Sequence, residues 1–136
     1  MIEINQIINQ GTCDLHPDAL KKDIAMEECS ELIQAISKVN RDKIYARPDE
    51  VSEEKRLQHR ENEIEEIADV LLIIETLKYI DDIDDKDIQK WIYFKQARQV
   101  KRDYDLINSK STSYESGSPL NKYIQYCEEH HNDDEE

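Results

Sequence analysis

IAMEECSELIQAI at residues 24–36 and EIEEIADVLLII at residues 63–74 each carry carboxylates three residues apart within an apolar helical stripe. An α-helix advances about 100° per residue, so every side chain can be placed around the helix axis. Glu28 and Glu66 each fall within about 40° of apolar side chains of their own segment. These neighbours are Ile24, Leu32, Ala35 and Val39 around Glu28, and Val70, Ile73 and Leu77 around Glu66. The spacing therefore predicts two helices whose inner faces carry carboxylates.

Glu31 and Asp69 lie about 60° to the same side of Glu28 and Glu66, so both helices repeat one arrangement. Burying an ionised carboxylate without a partner costs roughly several kcal/mol, and four carboxylates near one core therefore require a compensating cation. Lys38 is the nearest basic residue on the first helix, and Arg60 is the nearest on the second. Because Mg²⁺ and Mn²⁺ prefer oxygen ligands, the pattern favours a divalent metal site between packed helices.

Two other interpretations of these carboxylates stay open. A single Glu-Glu-x-x-Glu string is most often a solvated helix face. The carboxylates also have potential protein partners, namely Lys38, Arg60 and the basic residues of the fourth expected helix. Such pairing would make the cluster a structural salt-bridge network rather than a metal site.

Glu27-Glu28-x-x-Glu31 followed by Glu66-x-x-Asp69 resembles the paired signature of the all-α nucleoside triphosphate pyrophosphohydrolases, the MazG-like superfamily. The similarity is almost continuous over residues 25–39 and 65–77, and it covers about the region from residue 18 to residue 102. The resemblance implies a helical enzyme that uses Mg²⁺, or Mn²⁺, to cleave a nucleoside triphosphate into the monophosphate and pyrophosphate.

Carried over residue by residue, the resemblance makes four carboxylates the metal ligands: Glu28, Glu31, Glu66 and Asp69. Candidates for the catalytic proton acceptor are Glu27, Glu31 and Glu63. Relatives that select pyrimidine deoxynucleotides often have an aromatic or polar residue one turn after the motif aspartate. Ile73 stands at that position here, so base contacts cannot be transferred. The alternative function is a non-catalytic nucleotide- or protein-binding module that retains the same helical bundle.

Substrate contacts are expected from basic and amide side chains outside the carboxylate motifs. The candidates are Lys38, Asn62, Lys95, Arg98 and Lys101. The last three share one face of the fourth expected helix, and they are candidates for holding the β- and γ-phosphates. An equally open alternative is that the neighbouring aromatic residues form core and the basic residues pair with the acidic surface.

The polar segment 41–51 supplies further candidates for phosphate or base contacts: Arg41, Lys43, Tyr45 and Arg47. A plain solvated loop is the other interpretation of that segment.

Composition limits the possible partners. The 136 residues favour one domain, and 32 acidic against 18 basic residues give a net charge of −14. Such a charge argues against binding duplex nucleic acid, which needs a basic surface. The three cysteines are widely spaced and form no CxxC motif, which fits a reducing cytoplasm. With no apolar run of membrane-spanning length and no leader pattern, we expect a soluble cytoplasmic protein.

The whole pattern predicts an all-α antiparallel bundle. The expected helices are residues 2–9, ending at a Gly11-Thr12 break, and then 17–40, 53–80 with Ser52 as N-cap, 86–108 and 120–129. Residues 1–108 are expected to form the catalytic domain, 109–119 a flexible linker, and 120–136 a short helix with a charged, disordered end beginning at about residue 128. Since two motif helices alone bury little, the bundle is expected to be completed as a homodimer or homotetramer.

Overall fold

A computed structural model describes residues 1–45, 47, 49–109 and 119–132. These residues form five α-helices and one π-helical turn, and none of them lies in a β-strand. The helices are α1 Gln6–Leu15, α2 Asp18–Asn40, α3 Glu53–Ile80, α4 Asp85–Ser109 and α5 Pro119–His130, and the π-turn is Arg41–Tyr45. The predicted all-α class is therefore confirmed.

The chain divides into two compact units, Met1–Ile83 and Asp84–Glu136. The first unit contains α1, α2, the π-turn and α3, and the second contains α4 and α5. This division falls within the predicted domain 1–108, whose functional extent stays a prediction. In the part of the chain that the structure describes, no helix combines the length and apolar character needed to cross a membrane.

Helices α2 and α3 pack side by side in opposite directions. Lys22 near the start of α2 contacts Asp81 just after α3, with 2.7 Å between Nζ and Oδ1. At the other end of the pair, Asp42 directly beyond α2 contacts His59 in the second turn of α3. The buried residues of the two helices are small or β-branched, which suits close helix packing: Ala25, Ala35, Val39, Ile73 and Thr76. This antiparallel pair positions the two carboxylate motifs.

The predicted bounds of the motif helices agree with the structure to within one residue. Ser52 caps α3 as expected, because its Oγ accepts a hydrogen bond of 3.2 Å from the Lys55 N–H. Pro17 is the N-cap of α2 rather than its first residue. Asp84 precedes α4 and accepts a 2.8 Å hydrogen bond from the Lys86 N–H.

The first helix differs from its prediction at both ends. Asn5 accepts hydrogen bonds from the N–H groups of Ile7 and Ile8, so α1 begins at Gln6 rather than at Ile2. The expected break at Gly11 is wrong, because α1 continues through it to Leu15. A helical glycine costs only about 1 kcal/mol. Contacts to α3 offset that cost, including a 2.9 Å hydrogen bond from Gln6 Nε2 to Glu75 Oε2 and a 2.8 Å bond from Tyr79 OH to Asp14 Oδ1.

The segment after α2 is not simply the loop that its polar composition predicts. The backbone continues as the π-turn Arg41–Tyr45 before α3 begins at Glu53. The turn places Asp42 in a buried position, with 5% of its surface exposed. A buried side-chain pair therefore ties this segment to α3, and composition alone cannot reveal such an anchor.

In the second unit, α4 packs against α5. Tyr123 donates a hydrogen bond of 2.5 Å to Asp103 Oδ2, and the rings of Tyr104 and His131 stack at 3.8 Å. The hydrogen bond to Asp103 raises the pKa of the Tyr123 hydroxyl. Cys127 of α5 is fully buried, and Val100 of α4 is also buried.

Two predictions for the C-terminal part need correction. Ser109 and Pro119, the ends of the expected linker 109–119, belong to α4 and α5, and residues 110–118 lie outside the described residues. The charged end was expected to begin at about residue 128 without structure. Instead α5 continues to His130, because Cys127 packs in the core and His130 stacks on Tyr126 at 4.1 Å. Residues 133–136 are not among the described residues.

Candidate metal centre and the adjoining pocket

Three carboxylates from the two motif helices converge at the α2–α3 contact. Glu28 and Glu31 come from α2, and Glu66 comes from α3. Each offers an oxygen that lies within 4.8 Å of the other two. Glu28 and Glu66 are half-buried and Glu31 is exposed. Three oxygen donors grouped in this way could hold a divalent cation, which prefers oxygen ligands.

Glu66 is held at one oxygen and has no partner at the other. Asn62, one helical turn earlier, donates a 2.9 Å hydrogen bond from Nδ2 to Glu66 Oε1. Oε2 is buried and has no hydrogen-bond partner among the described residues. Since a buried carboxylate oxygen is costly to leave unpaired, Oε2 fits a cation ligand. Asn62 has the position of a residue that orients Glu66, and its predicted role as a substrate ligand stays a prediction.

The electrostatic environment of Glu28 is unfavourable to its own negative charge. Burial raises the pKa of the Glu28 carboxyl above its ordinary value, and the nearby carboxylates of Asp69, Glu31, Glu66 and Glu27 raise it further. Asp69 is thus close enough to act on Glu28, although it is not one of the three residues that share the 4.8 Å spacing. The residues fit a metal centre, because a bound cation would remove the repulsion that their geometry creates.

We expect Glu28→Gln to raise the melting temperature of the metal-free protein by a few degrees at neutral pH. The raised pKa means that protonated Glu28 contributes stability below its ordinary pKa of 4.5, and this contribution is lost as the pH rises through the raised value. Glutamine resembles the protonated acid at every pH, so the difference between variant and wild type should grow from acidic to neutral pH. Differential scanning calorimetry in chelator measures it.

The same variant should lose most of the stabilisation that Mg²⁺ gives to the wild-type protein, because a ligand is removed. Asp23→Asn on an exposed position of α2 is the matched control and should change neither quantity. A lower melting temperature for Glu28→Gln in chelator would instead favour the salt-bridge network, in which loss of the carboxylate removes an attraction.

The ion pairs of the structure do not support that network. Four ion pairs among the described residues do not include Glu28, Glu31 or Glu66: Lys22–Asp81, Arg47–Glu50, His59–Asp42 and Lys78–Glu75. Lys38 is half-buried on α2, seven residues after Glu31, and its predicted substrate contact stays a prediction.

The remaining predicted residues lie in both units. Glu27 is exposed on α2, and Glu63 is half-buried on α3, one turn before Glu66. Lys95, Arg98 and Lys101 are exposed on α4 in the second unit, where the Arg98 guanidinium lies 5.6 Å from the centre of the Phe94 ring. The aromatic residues near them are exposed rather than core, with Trp91 at 60% and Tyr93 at 66%. The phosphate-binding role of the three basic residues stays a prediction.

A buried pair at the N-terminal end of α3 was missed by sequence reasoning. Asp42 Oδ2 lies 2.5 Å from His59 Nδ1, and Arg56 donates a hydrogen bond to the backbone carbonyl of Asp42. The helical period could have indicated an inward-facing His59. This residue precedes Glu66 by seven residues and therefore shares its face of α3. The partner could not be found in this way, since the segment containing Asp42 was expected to be a loop.

Beside this pair is a pocket of about 340 Å³, which we call the π-turn pocket. Its lining residues are Val39, Asp42, Lys43, Glu53, Arg56, Leu57, Arg60 and Glu63. Of the contacts predicted in segment 41–51, Lys43 lines this pocket. Arg47 instead lies near Glu50, with 3.9 Å between Nε and Oε1. The side chain of Tyr45 is outside the described part of the structure. Glu63 joins the pocket to the turn of α3 that bears Glu66.

No protein-family profile matches the chain, and comparisons with curated proteins and with solved structures likewise find no match.

Proposed function

We propose that this protein is a metal-dependent nucleoside triphosphate pyrophosphohydrolase of the MazG-like, all-α type, which cleaves an NTP or dNTP to the monophosphate and pyrophosphate. The observation that carries the proposal is the convergence of Glu28, Glu31 and Glu66 within 4.8 Å at the contact of the two motif helices. The buried, unpartnered Oε2 of Glu66 and the raised pKa of Glu28 give independent reasons for a cation there.

In this proposal Glu28, Glu31 and Glu66 hold Mg²⁺ or Mn²⁺, with Asp69 completing the ligand set. The bound ion supplies Lewis-acid polarisation of the phosphate oxygens. Asn62 keeps Glu66 oriented through its hydrogen bond to Oε1. The protein also has to accept the proton of the attacking water, and the candidates remain Glu27, Glu31 and Glu63. Glu63 is favoured, because it is half-buried and lines the pocket next to the carboxylate cluster.

We propose further that the bundle is completed by a second copy of the chain, in a homodimer or homotetramer. Large apolar side chains on α2 are exposed, including Met26 at 65% and Ile33 at 68%. They line an open groove together with Ala25 and Leu77. Exposed apolar surface of this kind marks contact sites between proteins. Sedimentation velocity of the full chain distinguishes such an assembly from a monomer.

The proposal is tested by pyrophosphate release from a panel of ribo- and deoxynucleoside triphosphates with Mg²⁺, with Mn²⁺ and with chelator. We expect metal-dependent release from one or a few members of the panel, which would also identify the preferred base and sugar. If no nucleotide is cleaved although Mg²⁺ raises the melting temperature, the metal site is real but the substrate is not one of these nucleotides. If Mg²⁺ changes neither quantity, the carboxylates have only a structural role.

A further inference from the structure

The π-turn pocket brings three cationic and three anionic side chains together next to the acidic centre of an acidic protein. Lys43 comes from the π-turn, and Arg56 and Arg60 come from the first two turns of α3 that face it. Arg60 and Lys43 are exposed, and Arg56 is half-buried. In a chain of net charge −14, three cationic side chains around one cavity form a local site for an anion.

The carboxylates that line the same pocket leave these cations available. Asp42 already faces His59, with 2.5 Å between Oδ2 and Nδ1. Glu53 and Glu63 each lie three residues along α3 from a pocket arginine, Arg56 and Arg60 respectively. Within the described residues, neither carboxylate forms an ion pair with Lys43, Arg56 or Arg60. Glu63 lies on the side of the acidic centre, about 4.5 Å from the level of Glu66. Cationic and metal-binding groups thus follow one another along α3.

The pocket has a fixed frame. Arg56 donates from Nη1 to the backbone carbonyl of Asp42, which ties α3 to the π-turn that carries Lys43. A guanidinium has five N–H donors, so Arg56 retains further donors after this bond. Short π-helical turns often occur at functional sites, where they alter the direction of neighbouring side chains. Here the turn brings Lys43 into the cavity that Arg56 and Arg60 line.

A ligand that spans the carboxylate cluster and the π-turn pocket needs two anionic groups along its length. One group would bind the metal ion held by the carboxylates, and the other would bind arginine and lysine. A polyphosphate has that chemistry, and arginine binds phosphate through paired hydrogen bonds. We infer that the π-turn pocket binds the terminal phosphates of the substrate, the part that leaves as pyrophosphate, through Lys43, Arg56 and Arg60. This inference rests on the proposed function and assigns the phosphate contacts to the first unit.

The test is calorimetric titration of the full-length protein with inorganic pyrophosphate in the presence of Mg²⁺. We expect the wild-type chain to bind, and Arg60→Gln and Lys43→Gln each to bind about tenfold more weakly, as expected for loss of one charge-assisted hydrogen bond. Both side chains are exposed, so neither substitution disturbs the core. Lys55→Gln, an exposed cation on the same helix that does not line the pocket, should bind like the wild type.

Absence of pyrophosphate binding by the wild-type chain, or wild-type affinity in both pocket variants, would overturn the assignment. The nucleotide panel separates this failure from failure of the proposed function. Metal-dependent cleavage together with unchanged pyrophosphate binding in both variants supports the hydrolase function and contradicts the phosphate-binding role of the pocket. Pyrophosphate binding that depends on Arg60 and Lys43, without cleavage of any nucleotide, supports the phosphate-binding role of the pocket and contradicts the hydrolase function.

Discussion

Glu66→Gln is expected to reduce metal-dependent nucleotide hydrolysis by about a thousandfold or more while the protein stays helical. The side chain keeps its shape and its contact with Asn62, but the carboxylate charge next to Glu28 and Glu31 is lost. Because a metal ion supplies several kcal/mol of transition-state stabilisation, loss of a ligand has an effect of about this size. Pyrophosphate release measures activity, and far-UV circular dichroism measures helix content.

Glu65→Gln is the matched control, since Glu65 is the neighbouring acid on α3 and is exposed. It removes the same formal charge without removing an oxygen of the cluster, and its activity should stay within about twofold of the wild type, as for a surface substitution away from the site. Unchanged hydrolysis in Glu66→Gln would contradict the site assignment. A comparable loss in both variants would show that overall charge rather than coordination matters.

Asp69→Asn should also abolish turnover if Asp69 completes the ligand set.

The largest expected effect on stability comes from Asp42→Ala, which should lower the free energy of unfolding by about 2–3 kcal/mol. Asp42 is 5% exposed and faces His59 at 2.5 Å, so its removal leaves a half-buried ring nitrogen without its partner. It also removes the side chain that anchors the π-turn to α3. Urea denaturation of the full-length protein, followed by circular dichroism, measures the change as a shift in the midpoint at constant slope.

Asp49→Ala provides the control, because Asp49 is an exposed acid in the same connection between α2 and α3. Its effect should stay within about 0.5 kcal/mol. A double-mutant cycle with His59→Ala isolates the pair, and the two single changes should be less than additive if the contact carries the stability. Equal midpoints for Asp42→Ala and Asp49→Ala would show that the buried pair does not hold the π-turn in place.

Sequence reasoning was most successful where a property repeats along one helix. The 3.6-residue period predicted α2 and α3 and placed Glu28 and Glu66 on their inner faces, and both residues are half-buried there. Local capping chemistry located the start of α3 at Ser52. These features depend on residues within one or two turns of each other, so they can be read from a single chain.

Contacts between distant residues could not be predicted in this way. The sequence by itself determined the all-α class, the two motif helices and the direction of their carboxylates around each axis. Only the tertiary structure decided that Glu28, Glu31 and Glu66 share one 4.8 Å cluster, and that Asp42 pairs with His59 and draws Lys43 toward Arg56. The physical reason is that periodicity gives the angle of a side chain around its own helix. The axial alignment of two helices depends on how their whole surfaces pack.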